Sequence, residues 1–340
     1  DRLNDSIVWD DSATIVLDNL SIEKVGIPRS LSEVYMGSNN DLVVEHVRDQ
    51  EDEGDRDRRF SSITASGITE YHLATVEDVE IHYGNTSDPA NVDFESLLSV
   101  FPNVEDLSIE DDVRLSTTDI EFVASLGMVR ELGLGDTDSG DIDALSSLPG
   151  IEELYLGLDV GDADGITTDP GVMPVLVELG FEVDNGTSSA ATDQLINVFK
   201  TFADAGRVLR GVRLRWSGMT DAQLQTFHDD VLVEWEGVLR RLDLDGNELT
   251  SASVETIANL GGLENISLRN NPIRSIADIV SATDLFSLEL SGTEISDITP
   301  LEDLLDAGAF SVDEEPSVEL DENSSLNLAP GTANGDVVTA

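Results

Sequence analysis

This chain contains no cysteine. That excludes a disulfide framework, a thiolate zinc site, a cysteine nucleophile and an acylated N-terminal cysteine. Lysine is almost as scarce, with Lys24 and Lys200 the only two in 340 residues. No run approaches the ~18 apolar residues of a membrane-spanning helix, so no membrane insertion is expected. The four histidines, His46, His72, His82 and His228, share no motif with a nucleophile. No phosphate loop or dinucleotide fingerprint follows a predicted strand. The run Asp159-Val-Gly-Asp162-Ala-Asp164-Gly165 resembles part of a calcium loop. It lacks the acid at the first position, and Gly171 stands where the closing Glu belongs, so it reads as an acidic turn. No catalytic residue, metal or cofactor is expected, and the chain does not read as an enzyme.

What is abundant is negative charge: 70 Asp and Glu against 18 basic residues, a net −52. The hydrophobic fraction is nevertheless 40%, enough for a core and too much for a disordered polyanion. Self-repulsion of this size destabilises a compact chain at ordinary ionic strength, whereas salt of ~1 M cuts the Debye length to ~3 Å. An acid-rich, lysine-poor composition resembles that of proteins from extreme halophiles, above all archaea. The same charge repels nucleic acid and anionic membranes.

Stretches along the chain repeat the spacing apolar-x-x-apolar-x-apolar. The two fullest are Leu239-Arg-Arg-Leu242-Asp-Leu244-Asp-Gly-Asn247-Glu-Leu249 and Leu263-Glu-Asn-Ile266-Ser-Leu268-Arg-Asn-Asn271-Pro-Ile273. Alternation of apolar and polar residues predicts a short strand with one buried face. The Asn then starts a turn, its amide serving backbone groups that the bend leaves unpaired. Further copies begin at Leu285, with Thr293 in place of Asn, and upstream at Leu209, Leu176, Ile151, Val129, Val104 and Val76. A weaker one reads Ala307-x-x-Phe310-x-Val312. One unit cannot bury its own apolar face, but a stack can.

The pattern L-x-x-L-x-L-x-x-N-x-L is met at every fixed position in the two best copies, and it resembles the leucine-rich-repeat family. The resemblance implies an α/β solenoid: a curved horseshoe with a parallel β-sheet on the concave face and helices or helical turns on the convex face. Its cysteine-dependent ubiquitin-ligase branch is excluded. Residues 71–315 are expected to hold about nine repeats, residues 1–70 an N-terminal cap or degenerate repeats interrupted by the charged loop 49–59, and residues 316–340 a C-terminal cap and loose tail. Intervals of 22–25 residues leave room for a helical turn, those of 30–33 for a full helix such as 192–206. Thr118 and Thr220 read as the N-caps of capping boxes.

The outward strand positions are acidic up to Glu182 and then change sign. Eight of the 18 basic residues fall between Arg207 and Arg274. Arg210, Arg213, Arg215, Trp216, Arg240, Arg241 and Arg269 form the candidate partner-binding set on the concave face. Arginine forks match carboxylates, and Trp and Arg are frequent interface anchors. An internal charge ladder competes with that reading: Arg213 opposite Asp243, and Arg215, Asp245 and Arg269 alternating along one row. Arg210, Trp216, Arg240 and Arg241 have no obvious acidic neighbour in the sequence pattern. The expected role is a non-enzymatic binding module for another protein, itself acidic, or a glycan. The alternative is a self-assembling structural component of an envelope, appendage or virus particle. Asn-x-Ser/Thr triplets at Asn4, Asn19, Asn85, Asn185 and Asn323, with Asn265 in a predicted strand, favour an exported glycoprotein at the cell surface over a cytoplasmic one. Asp1 in place of Met is expected of a processed product or a fragment.

Overall fold

The structure is a computed structural model. It describes the backbone of strands β1 (Ala13–Leu17), β2 (Glu33–Met36), β3 (Leu42–Glu45), β4 (Ser61–Thr64) and β5 (Asp78–Ile81). It also describes residues 103–109, 117–135, 150–159, 173–184, 188–310, 317–321 and 326, most with their side chains. Asn4, Asn19, Asn85, Asn185 and Asn323, the charged loop and the acidic turn after Asp159 lie outside the described residues.

The chain divides into two compact units, Asp1–Thr137 with Ala144–Leu154, and Asp138–Asp143 with Tyr155–Ala340. The first holds a four-stranded sheet in the order β2-β3-β1-β4, in which β1 runs antiparallel to β3 and parallel to β4. It also holds three parallel strands, β5, β6 (Asp106–Ile109) and β7 (Glu131–Leu134), with helix α1 (Thr117–Ser125) between the last two. Leu107, Ile109, Leu132 and Leu134 are buried there, as the alternation requires. Since α1 already includes Thr117, Thr118 lies inside the helix and is not its N-cap. Helix boundaries read from sequence commonly slip by a residue or two.

Strand β8 (Glu153–Asp159) leads into the second unit, where strand and helix alternate. The order is β9 (Glu178–Asp184), α2 (Ser189–Asp204), β10 (Gly211–Arg215), α3 (Asp221–Asp230), β11 (Arg241–Asp243), α4 (Ala252–Ala258), β12 (Asn265–Ser267), β13 (Ser287–Glu289), α5 (Pro300–Asp306) and β14 (Ser317–Glu319). From β9 to β14 each strand pairs in parallel with the next. The long repeats carry the long helices, α2 with 16 residues and α3 with 10. Thr220 caps α3 in a full capping box with Gln223. The short repeats close with the seven-residue α4 and a five-residue 3-10 turn, Ala277–Ser281. Strands lie ~4.8 Å apart and packed helices 8–10 Å apart, so a stack with helices behind its sheet bends towards the strands.

The same four positions enter the core in successive repeats: Leu209, Val212, Leu214, Met219; Leu239, Leu242, Leu244, Leu249; Leu263, Ile266, Leu268, Ile273; and Leu285, Leu288, Leu290, Ile295, all at most 2% exposed. Where the helices are long, aromatics fill the wider gap. Phe199 stands at 5.6 Å from Phe181, 5.3 Å from Phe227 and 6.5 Å from Trp235, ring centre to ring centre. The Trp235 indole donates to the Arg207 carbonyl at 2.9 Å, which satisfies its one polar atom inside the core.

The repeats are joined through Asn247 and Asn271, both buried. Asn247 Oδ1 accepts from the Met219 backbone N–H and the Ser217 hydroxyl, each at 3.0 Å. Its Nδ2 donates to the carbonyls of Leu214 at 2.7 Å and Leu244 at 2.8 Å, one in the preceding repeat and one in its own. Asn271 repeats the pattern one turn on, accepting from Leu249 N–H at 3.1 Å and donating to Leu244 at 2.9 Å and Leu268 at 3.1 Å. Thr293 takes the third position, and its hydroxyl donates to Leu290 of its own repeat at 2.7 Å.

The residue before each of these must turn into the left-handed region, and Gly246 (φ 65), Asn270 (φ 54) and Gly292 (φ 69) do so. Trp216 holds the same position, at φ 52, before Ser217. The final strand departs from the sequence reading. Phe310 lies in a turn at φ 58, and the strand that pairs with β13 is Ser317–Glu319. Residues 307–310, where the apolar spacing resembled the start of a repeat, form the turn that follows helix α5, with Gly308 left-handed.

Replacing Asn247 by Ala strands the Met219 N–H and the Leu214 carbonyl in the core. The expected loss is about 3 kcal/mol, from buried groups that each cost 1–3 kcal/mol unpaired. Urea unfolding at fixed KCl, followed by circular dichroism, measures it. Asn247→Asp, which cannot donate to either carbonyl, should lose at least as much.

Candidate functional site

The outward face of the second unit's sheet is organised in rows by the strand register. One row reads Glu178, Gly211, Arg241, Asn265, Ser287 and Ser317; the next reads Gly180, Arg213, Asp243, Ser267, Glu289 and Glu319. Beyond them Glu182 stands opposite Arg215. Each outward position is thus about one strand spacing from its neighbours, close enough for cross-strand pairs.

Two glycines let side chains reach past the adjacent strand. A Cβ on Gly180 would stand 2.6 Å from Tyr155 Cδ1 and 2.9 Å from Arg213 Cβ. Without one, the Arg213 guanidinium lies over the Tyr155 ring, its carbon 3.9 Å from the ring centre, a cation–π stack. A Cβ on Gly211 would collide with the Glu178 carboxyl group. Across that gap Arg241 Nη1 donates to Glu178 Oε2 at 2.9 Å, and the Tyr155 hydroxyl donates to the same oxygen at 2.8 Å.

The remaining predicted residues divide into paired and unpaired. Arg215, not Arg213, binds Asp243: its Nε donates at 2.7 Å and its Nη2 at 2.5 Å, with Glu182 at 3.6 Å on the other side. Burial works against the Arg215 charge, but the hydrogen bond to Asp243 and the charges of Asp243, Asp245 and Glu182 outweigh it and raise its pKa. Arg269 pairs with Glu289 at 3.2 Å and with Glu319. Arg240 donates to the Gly262 carbonyl at 2.7 Å and stands 3.4 Å from Glu264. Two residues read as lacking an acidic neighbour, Arg240 and Arg241, therefore have one. The Arg241 partner lies 63 residues away in sequence, across a glycine, and spacing alone does not reveal it. Arg210 is exposed and forms no ion pair among the described residues. Trp216 is 43% exposed, with its indole lying where a side chain on Gly246 would be.

Asp245 completes the inner part of the face. It accepts the Ser267 hydroxyl at 2.5 Å and the Arg269 backbone N–H at 2.8 Å. Burial and the neighbouring Asp243 charge push its pKa up to about 6. Between these rows lies a hollow of about 230 Å³, walled by Arg213, Arg215 and Arg241 on one side and Ser267, Ser287 and Glu289 on the other. Nothing in it resembles a catalytic constellation of nucleophile and base. Among the described residues no cluster of acidic or histidine side chains could hold a metal ion, and no helix is long and apolar enough to cross a membrane.

Residues 238–295 match the family model described as leucine rich repeat. That stretch of the second unit is similar to leucine-rich repeats. Two crystal structures, of internalin C2 and of internalin inlF from Listeria monocytogenes, are similar at 16% identity over 75% and 77% of this chain. They are covered over 85% and 75% of their own length, with TM-scores of 0.35 and 0.36, a likeness too loose to add to what the repeats establish. No curated protein matches the sequence significantly.

The repeat face should respond to pH through Asp245. Its folded pKa, about 6, lies above the ordinary 3.8. The folded chain therefore binds a proton in the window between about 4 and 6 that the unfolded chain does not, and this group adds stability as pH falls through it. Asp245→Asn should flatten that slope and raise stability at pH 7.5 by on the order of 1 kcal/mol, less than the full shift because the group borders solvent. Thermal unfolding between pH 4.5 and 7.5 at constant salt checks both statements.

Proposed function

We propose that the outward sheet face of the second unit is a non-enzymatic protein-binding surface that works at high salt. Trp216 carries the reading. A bulky side chain held at φ 52 costs about 1 kcal/mol, where the next repeats use Gly246, Asn270 and Gly292. Its indole stays exposed over Gly246, next in the chain to the paired Arg215 and at the end of the strand that carries Arg213. Strained exposed aromatics among arginines are the composition of an interface anchor.

Salt adaptation follows from the charge. At −52 the chain needs counter-ions to stay compact, so its melting temperature should climb steeply from 0.1 to 2 M KCl. An acidic protein is the favoured partner, a glycan the second. The acceptor triplets support an extracellular or cell-surface site, which intact-mass measurement of the native protein tests.

The deciding experiment captures partners at molar KCl from the source organism with the natural chain and with Trp216→Gly. The variant removes the strain and should melt at the same temperature or higher, yet lose the partner. Equal capture by both chains would contradict the proposal. Recovery of only the bait's own copies, equally with both, would favour a self-assembling structural role instead.

A further inference from the structure

The arginines of this face are not equivalent. Arg215 is engaged by Asp243 and Glu182, Arg241 by Glu178, Arg269 by Glu289 and Glu319, and Arg240 by Glu264. Arg213 is the exception on the inner rows. It lies opposite Asp243 in the register, but Arg215 has taken that carboxylate. Among the described residues no acidic group stands within ion-pair distance of Arg213. Its Nε is buried without a hydrogen-bond partner. Its plane is fixed on the Tyr155 ring, whose hydroxyl is in turn held by Glu178. In a chain where acidic residues outnumber basic ones 70 to 18, an arginine without a carboxylate is unusual.

We infer that Arg213, stacked on Tyr155 at the wall of the 230 Å³ hollow, is the receptor for a single Asp or Glu side chain presented by the bound protein. The inference rests on the proposed protein-binding role and names the chemistry of its anchor. A guanidinium fork takes a carboxylate with two parallel N–H···O bonds. Stacking on an aromatic ring fixes the fork before the partner arrives, so little side-chain freedom remains to be lost. Ser287 on the opposite wall, whose hydroxyl can accept from Ser317, is left with its own proton to donate to the same group, whereas the Ser267 proton is held by Asp245. The neighbouring guanidiniums are already neutralised by their own partners, so one incoming negative charge matches the one unspent positive charge. A second would meet Asp243 and Glu289 and be repelled, which makes the hollow selective for an isolated acid over a polyanionic stretch.

Arginine Nε–H resonances of the full chain in ~1 M KCl, where bulk repulsion is screened, test this with N-acetyl-glutamate amide as probe and N-acetyl-glutamine amide as control. The Arg213 signal is the one that disappears in Arg213→Lys. Expected is a saturable shift of that signal with the glutamate probe, little with the glutamine one, and a small non-saturating drift at Arg274, which already pairs with Glu294 on the surface. Tyr155→Leu, which keeps the core positions intact, should weaken the saturable shift at least threefold. Equal response to both probes, or equal response of Arg213 and Arg274, would overturn the inference. If Arg213 ignores the glutamate probe while the natural chain still captures a partner that Trp216→Gly loses, the carboxylate receptor falls and the binding face stands. If the probe saturates Arg213 but no partner is ever captured, the receptor stands and the proposed function falls.

Discussion

The buried amide of Asn247, repeated by Asn271, is the constraint on which the stacked part of this molecule depends. A strand that ends in a sharp turn leaves an N–H and two carbonyls facing the core, where water cannot reach them and each unpaired group costs 1–3 kcal/mol. One asparagine side chain, donor and acceptor together, serves the turn of its own repeat and that of the repeat before it. Hydrophobic burial could hold the leucines together in several registers. The amide accepts only one, because its two ends must meet backbone groups on two successive turns.

That register is what gives the outward face its order. Once the core positions are aligned, the alternate residues stand in straight rows, and any charge has neighbours of known identity at about one strand spacing. In a chain with so few cations, nearly every arginine on these rows is matched to acids on both flanks or across a gap. The glycines at 180 and 211 matter here as absences, since a side chain at either place would block the reach of Tyr155 to Arg213 and of Glu178 to Arg241. The face is therefore a nearly closed set of ion pairs with a few uncommitted groups, Arg210, Arg213 and Trp216. Specific recognition depends on such groups more than on the count of charges.

The repeat positions were legible in the sequence because two periodicities coincide in them. From Val104 to Leu285 each predicted repeat start lies two residues before a strand, and in the repeats that begin at Leu239, Leu263 and Leu285 the Asn or Thr stands where the turn closes. The capping box at Thr220 was equally readable, since local hydrogen bonding decides it. The last strand was not. The spacing around Phe310 satisfies the apolar pattern, but the chain there is still turning out of the helix that Pro300 and the following acids start, with Gly308 and Phe310 left-handed, and β13 pairs with Ser317–Glu319. Nor were the charge partners legible. Register shows that Arg213 and Asp243 are opposite, yet the longer reach of Arg215 along the diagonal wins the carboxylate, and Arg241 finds Glu178 over a glycine two strands away. The strain at Trp216 was invisible for a related reason: the sequence shows a tryptophan, and only the equivalence with Gly246, Asn270 and Gly292 shows what that position asks of its backbone.

The claim that asparagine amides weld successive turns is tested most directly by hydrogen exchange at single-residue resolution on the full chain in high salt. Met219 and Leu249 lie outside helix and strand, but their N–H groups donate to Asn247 and Asn271. If the amides weld the turns, both should exchange within about tenfold of the strand amides of Val212 and Leu242, since all would open only with the stack itself. Exchange at the rate of open surface loops would show that the turns breathe independently, and that the repeats are held by their leucines alone.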